Sequence, residues 1–191
     1  YRWLPLFLKQ LQHQWPNLYF EFVTDTSKVP MASLLDGDVD IAISAGSLAS
    51  SRANVYPLFD DELLAICALD YPTPSCGYML AADFLADPFI TYSTIYETGF
   101  EEELLWRPAG RRPLNYLRGG NTEAVIEMVK AGFGRSILSR WAVQPSLDNQ
   151  ELVALPVTEQ GMPVHWSALV RKSHQHAELL NAVSEQLQSW C

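Results

Sequence analysis

Short apolar runs of strand length alternate along the chain with segments whose apolar residues recur at helical spacing. Leu4, Phe7, Leu8, Leu11 and Trp15 share one helical face, with Pro5 tolerable in the first turn, so the spacing predicts an opening helix that Trp15-Pro16-Asn17 breaks. LYFEFV at 18–23 reads as a strand rich in aromatic residues. Asp25, Thr26 and Ser27 form a turn and start a helix that runs to Leu35 and ends at Asp36-Gly37. VDIAIS at 39–44 suits a buried parallel strand, and VYPLF at 55–59 and ELLAICAL at 62–69 are further strands. A turn-rich stretch at 70–79 leads to a short helix at 81–86, a strand at 89–93 and a helix from Glu97 to Trp106. NYLR at 115–118, LVALPV at 152–157 and HWSALVRK at 165–172 complete the strands. A last helix from Ala177 to Trp190 carries Leu179, Leu180, Val183 and Leu187 on one face. This alternation predicts βα units and a mostly parallel sheet.

Residues 119–140, GGNTEAVIEMVKAGFGRSILSR, hold the most information. Asn121 and Thr122 are good helix starters, and Val125, Ile126, Met128 and Val129 supply an apolar stripe. Gly132 and Gly134 supply the stop and the sharp turn back into a strand, and SILSRWAV joins that strand to a short helix. A helix start offers free N–H donors that can clamp a ligand. No residue in the segment has the character of a nucleophile or a metal ligand, so it suggests binding more than chemistry.

Composition narrows the partners. The 191 residues suffice for one large domain or two small lobes, and 48% hydrophobic against 18% charged residues predicts a packed core. A net charge of −9 repels phosphate backbones, so any DNA contact would have to come from a segment outside this chain. Cys67, Cys76 and Cys191 are odd in number and follow no zinc or CxxC spacing, and a reducing cytoplasm is the simplest reading. One disulfide plus a free thiol in an exported protein is the alternative. No signal peptide and no apolar run of membrane-spanning length is visible.

Most reactive-looking clusters have a plainer explanation. His174-x-His176 lacks a nearby third metal ligand and reads as an exposed polar cap before the last helix. Glu101-Glu102-Glu103 fans out around a helix, Asp60-Asp61-Glu62 reads as a charged turn, and Arg107, Arg111 and Arg112 read as solvated loop residues. Ser27, Ser93 and Ser139 lie in no G-x-S-x-G elbow. The Gly-x-Gly at 132–134 follows a helix instead of preceding one, which argues against nicotinamide binding. No catalytic set, metal set or cofactor pattern emerges. A distributed set does: Thr26-Ser27, Ala45-Gly46, Ser93-Thr94, Thr98 and Asn121-Thr122 all follow a predicted strand or open a helix. In open α/β sheets ligands sit beyond the carboxyl ends of strands, and such groups suit a small polar or anionic ligand. Ordinary helix capping is the competing account of the same residues.

Four stretches in order carry a family likeness: SLLDGDVDIAI at 33–43, LLAICALDYP at 63–72, LAADFLADPFITY at 80–92 and VIEMVKAGFGRSILS at 125–139. Together they resemble the effector-binding domain of LysR-type transcriptional regulators. Trp106-Arg107-Pro108-Ala109-Gly110, Asn121-Thr122 and Arg140-Trp141-Ala142-Val143 look closest to the methionine-biosynthesis regulators of that family. The resemblance implies an α/β, two-lobed periplasmic-binding-protein type II fold, each lobe a mostly parallel sheet flanked by helices, joined by two crossover strands. Lobe one would take residues 1–68 and 163–191, and lobe two 69–162. It implies a small-molecule effector held between the lobes, homocysteine among the candidates, with Thr26, Ser27, Ala45, Ser93, Thr98, Phe100, Asn121 and Thr122 at matching positions. It further implies an antiparallel homodimer, a tetramer in the full-length protein, and DNA binding through an amino-terminal helix-turn-helix. The helices carrying Leu4, Phe7 and Leu11 and following Asn121 would be interface candidates.

Three departures stand out. The family's opening strand is missing, and so are its helix-turn-helix and linker helix, because the chain starts inside the first helix. Arg135 and Ser139 replace the family's usual aliphatic residue and proline. The expected function is therefore an effector-sensing domain of a cytoplasmic regulator, not an enzyme and not a membrane protein. An extracytoplasmic solute receptor of a transporter, with the same fold, is the alternative.

Overall fold

The computed structural model describes residues 4–23, 29–45, 50–92 and 100–191. The chain forms two compact units, one from residues 1–59 and 166–191, the other from 60–165.

In the first unit, helix α1 (Leu4–Gln14) turns Phe7 and Leu11 inward, and helix α6 (Ala177–Trp190) turns Val183 and Leu187 inward. These four pack with Leu58 and Ala168 in one apolar cluster, and the Phe7 ring meets Trp190 edge-on at 5.8 Å. Helix α2 (Pro30–Asp36) opens on a proline, whose missing N–H costs nothing there, and closes on Gly37 at φ +86°. Arg171 finishes that end by donating to the Leu34 carbonyl at 3.0 Å. Leu34 is fully covered and packs with Ala42 of strand β1 (Ile41–Ala45) and with Ala53 and Leu169.

Strand β2 (Ala53–Cys67) contributes to both units, and so does β7 (Pro163–Arg171). The two strands expected at 55–59 and 62–69 are thus one. The charged triplet between them does not break it: Asp60 is exposed and bonded to His165 at 2.6 Å and Glu62 is bonded to Arg140 at 2.7 Å, while Asp61 Oδ2 is buried with no hydrogen-bond partner among the described residues. β7 lies between β1 and β2, antiparallel to β1 with Ile41 opposite Val170 and Ala45 opposite Trp166.

LYFEFV at 18–23 forms no ladder among the described residues, which corrects its reading as a strand. Alternation alone cannot make a strand, because the backbone needs a neighbour to bond. Tyr19 is 92% exposed, and Phe22 and Val23 are exposed beside it.

In the second unit, β2 pairs antiparallel with β5 (Ser136–Ser139) and β6 (Val153–Pro156). Strands β3 (Phe89–Thr91) and β4 (Tyr116–Arg118) pair in parallel, and Phe89 also bridges Arg135 in parallel. Helix α4 (Thr122–Lys130) covers this sheet with Val125, Ile126 and Val129, which pack with Leu64, Ile66, Ile90 and Leu138. Helix α5 (Arg140–Asp148) adds Val143. The short helix at 81–86 is a single 3₁₀ turn, Ala81–Phe84. The described part of the next helix is wound unusually wide at Glu102–Trp106, where the Arg107 N–H reaches back to the Glu102 carbonyl, before one α-turn, α3 (Arg107–Ala109). Pro108 has no N–H for an ordinary bond four residues back. The rings of Phe84, Phe89, Trp106 and Tyr116 meet edge-to-face here.

Gly134 controls how closely the turn after α4 approaches β3. A Cβ at Gly134 would overlap the Pro88 carbonyl oxygen and press on Ile90. Backbone cannot retreat as a flexible side chain can. Gly134→Ala should therefore cost about 2–4 kcal/mol in urea unfolding. Gly110→Ala meets open space at φ +60°, carries only backbone strain and should cost about 1 kcal/mol.

Candidate functional site

The parallel pairing of β3 and β4 puts their carboxyl ends, Thr91 and Arg118, on the same side. The Gly119 N–H donates to the Thr91 carbonyl at 2.9 Å and joins the two ends. The chain then turns straight into α4. A Cβ on Gly119 would stand 2.6 Å from Val125 Cγ2 and 3.0 Å from its nitrogen, so only glycine lets the helix sit this close. Gly120 follows at φ +77°.

Asn121 is the N-cap. Its backbone is extended, its side-chain oxygen accepts from the Ala124 N–H at 2.8 Å, and its carbonyl accepts from Val125 at 3.1 Å. The capping account of this residue is therefore correct. It leaves the ligand account intact, because the cap serves Ala124, while the Thr122 and Glu123 amides of the first turn have no partner among the described residues. Asn121 is exposed and Thr122 half-buried. At its far end α4 is held by Lys130, which bonds Glu127 at 2.8 Å and Glu151 at 2.6 Å. Burial opposes the Lys130 charge, but these two hydrogen bonds outweigh it and raise its pKa.

Of the other sequence-predicted residues, Phe100 is 9% exposed, and its carbonyl accepts from the Glu103 and Leu104 amides at 3.0 Å each. It opens the wide-wound helix from within the second unit. Ala45 lies at the carboxyl end of β1 in the first unit, buried opposite Trp166. Thr26, Ser27, Ser93 and Thr98 lie outside the described residues. The structure thus brings Asn121 and Thr122 to the ends of β3 and β4. Gly119 and Thr91 were not singled out, although the Gly-Gly pair ahead of Asn121 was a usable signal for close backbone approach.

The remaining clusters are structural. His174 is not an exposed cap. Its side chain is only 11% exposed, with Nε2 3.0 Å from Asp40 and Nδ1 accepting from the His176 N–H at 3.0 Å. That acceptor role orders the turn before α6. Among the described residues, no three His, Cys, Asp or Glu side chains are grouped to hold a metal ion. Glu102 pairs with Arg112 at 3.1 Å on the surface. Ser139 is buried opposite Leu63, and no histidine bonds it. Burial pushes the Cys67 thiol pKa up, and Asp87 and Asp70 add to this against the opposing pull of Arg135. No helix among the described residues is long and apolar enough to cross a membrane.

A βα fold of two units, with glycine-led turns at strand ends, is an architecture that holds small molecules beyond the carboxyl ends of its strands. The chain belongs to the family of LysR substrate binding domains, which matches residues 1–191, and has that family's type II periplasmic-binding-protein-like α/β fold. It is similar to the HTH-type transcriptional regulator MetR of Salmonella typhimurium, 27% identical over 186 residues, covering 95% of this chain and 56% of that protein. MetR of Escherichia coli is 26% identical over 185 residues, with the same coverage. The chain thus spans about half the length of the curated relatives it matches. Among solved structures, the regulatory domain of MetR from N. meningitidis superposes with a TM-score of 0.82 at 24% identity, covering 99% of this chain and 87% of that one. The Synechocystis CcmR regulatory domain, solved in complex with 2-PG, gives 0.77 at 18% identity, covering 98% and 90%.

The cap can be tested directly. Asn121→Ala should lower stability by about 1 kcal/mol, read by urea unfolding, and Asn121→Asp should restore it.

Proposed function

We propose that this chain is the effector-sensing domain of a LysR-type transcriptional regulator, and that its effector is a small polar metabolite, homocysteine or another amino acid or carboxylate. The observation that carries this reading is the bond from Gly119 to Thr91, which sets the start of α4, with first-turn amides unpaired among the described residues, at the carboxyl ends of two parallel strands. Partial positive charge at a helix start favours a carboxylate. Homocysteine is put forward on the resemblance of residues 106–110, 121–122 and 140–143 to methionine-biosynthesis regulators. Thr26, Ser27, Ala45, Ser93, Thr98, Phe100, Asn121 and Thr122 are the proposed contacts. Effector binding would bias the regulator between quaternary states, and it can do so only by binding one state more tightly. DNA contact would come from a helix-turn-helix elsewhere in the longer protein, consistent with this domain's charge of −9. The cytoplasm is the proposed compartment.

The same reading includes a homodimer, and a tetramer for the longer protein. Two unpaired edges favour it. Asn115, Leu117 and Gly119 face β3, so the Tyr116 and Arg118 amides and carbonyls point away from it and have no partner among the described residues. The aromatic segment 18–23 carries a strand pattern and is equally unpaired among them. A second copy can match one edge to the other.

A thermal-shift panel of amino acids should show stabilisation by homocysteine or a close relative that grows with concentration. Ser27→Ala and Thr98→Ala should each weaken that binding several-fold, about 1 kcal/mol per lost hydrogen bond. A flat response to every compound removes the amino-acid reading. Independently, Arg118→Pro should shift the domain from dimer to monomer in light scattering with unchanged circular dichroism, while Arg118→Ala stays dimeric. A proline variant that remains dimeric takes β4 out of the interface.

A further inference from the structure

Arg135 is a charged side chain in a place that suits an apolar one. The side chain is only 5% exposed, and its Nε donates to Asp87 Oδ2 at 2.8 Å. One terminal nitrogen donates to the Pro72 carbonyl at 3.0 Å, and the other lies 3.9 Å from the Met79 sulfur. The guanidinium stands over the Tyr71 ring, 5.3 Å from its centroid, and the Tyr71 hydroxyl donates to the Gly132 carbonyl at 2.6 Å. The Arg135 backbone meanwhile brackets the start of β3: its N–H donates to Pro88 at 3.0 Å and its carbonyl accepts from Ile90 at 2.7 Å. One residue therefore ties together the turn after β2, the approach to β3 and the turn that leaves α4.

A leucine or methionine could fill the same space without needing Asp87. Burying a guanidinium is a poor route to stability, because desolvation offsets most of the attraction. It is a good route to fixed geometry, because the planar fork dictates where each acceptor must stand.

We propose that Arg135 is a positioning residue for the ligand site at the ends of β3 and β4, a proposal that rests on the effector-sensing reading. β3 is only three residues long, at roughly 3.3 Å per residue, so a shift at Asp87–Pro88 reaches Thr91 without dilution. The Thr91 carbonyl takes the Gly119 N–H, and Gly119 leads into the Asn121 cap. Arg135 thereby sets where the start of α4 stands relative to the end of β3.

The test uses Arg135→Met, which keeps length and bulk without donors, and Asp87→Asn, which keeps shape and weakens the charge. Amide hydrogen exchange is read at Gly119 and Ala124, with Val170 in the other unit as the reference. In both variants Gly119 and Ala124 should exchange about ten-fold faster while Val170 is unchanged. L-homocysteine affinity, measured by calorimetry at full folding, should fall in parallel, and Arg135→Lys should recover part of both. If Arg135→Met lowers the melting temperature but leaves Gly119, Ala124 and the affinity as in the wild type, the residue only fills space and the proposal is overturned. Should that variant fail to fold, Asp87→Asn decides by the same readouts. A wild-type domain that binds no homocysteine counts against the ligand alone, because the exchange data still decide the role of Arg135.

Discussion

Strand β2 has to satisfy two different settings along fifteen residues, and the rest of the structure is arranged around that requirement. Its first part contributes Ala53 and Leu58 to the apolar clusters of one unit, and its last part contributes Leu64 and Ile66 to the core of the other. Between them stand Asp60, Asp61 and Glu62. Charges in a strand are tolerated where water reaches them or a partner meets them. Here His165 and Arg140 take Asp60 and Glu62.

The candidate site inherits its shape from close backbone contacts more than from side chains. Glycine at 119 lets α4 begin against the end of β3, and glycine at 134 lets the turn beyond α4 touch Pro88. The helix is thereby held at both ends by contacts that no larger residue allows. At its start the Asn121 cap is in place, and the Thr122 and Glu123 amides have no partner among the described residues. A helix start of this kind favours a small anion or polar head. The chain belongs to the LysR substrate binding domain family.

Much of this was legible in the sequence, for identifiable reasons. α6 lies at Ala177–Trp190 as its periodicity predicts, because Val183 and Leu187 both face the core. The Asn121 cap was legible because capping is local: the acceptor and the amide it serves are three residues apart. The LYFEFV reading failed for the opposite reason, since a strand is completed by a neighbour that local pattern cannot supply. The join of 55–59 to 62–69 is not legible locally, because the partners of Glu62 and Asp60, Arg140 and His165, lie far along the chain.

By itself the sequence determined the βα alternation, the helix boundaries set by capping and by glycine, and the acidic charge balance. These follow from spacing, backbone freedom and charge, all of which act over a few residues or over the whole composition. Only the tertiary structure decided that Gly119 bonds Thr91, that His174 is covered against Asp40, and that Arg135 is buried among Asp87, Pro72 and Tyr71. Each of these is a contact between segments distant in sequence. A polar side chain reads the same in sequence whether water or protein meets its hydrogen bonds, and the fold alone settles which.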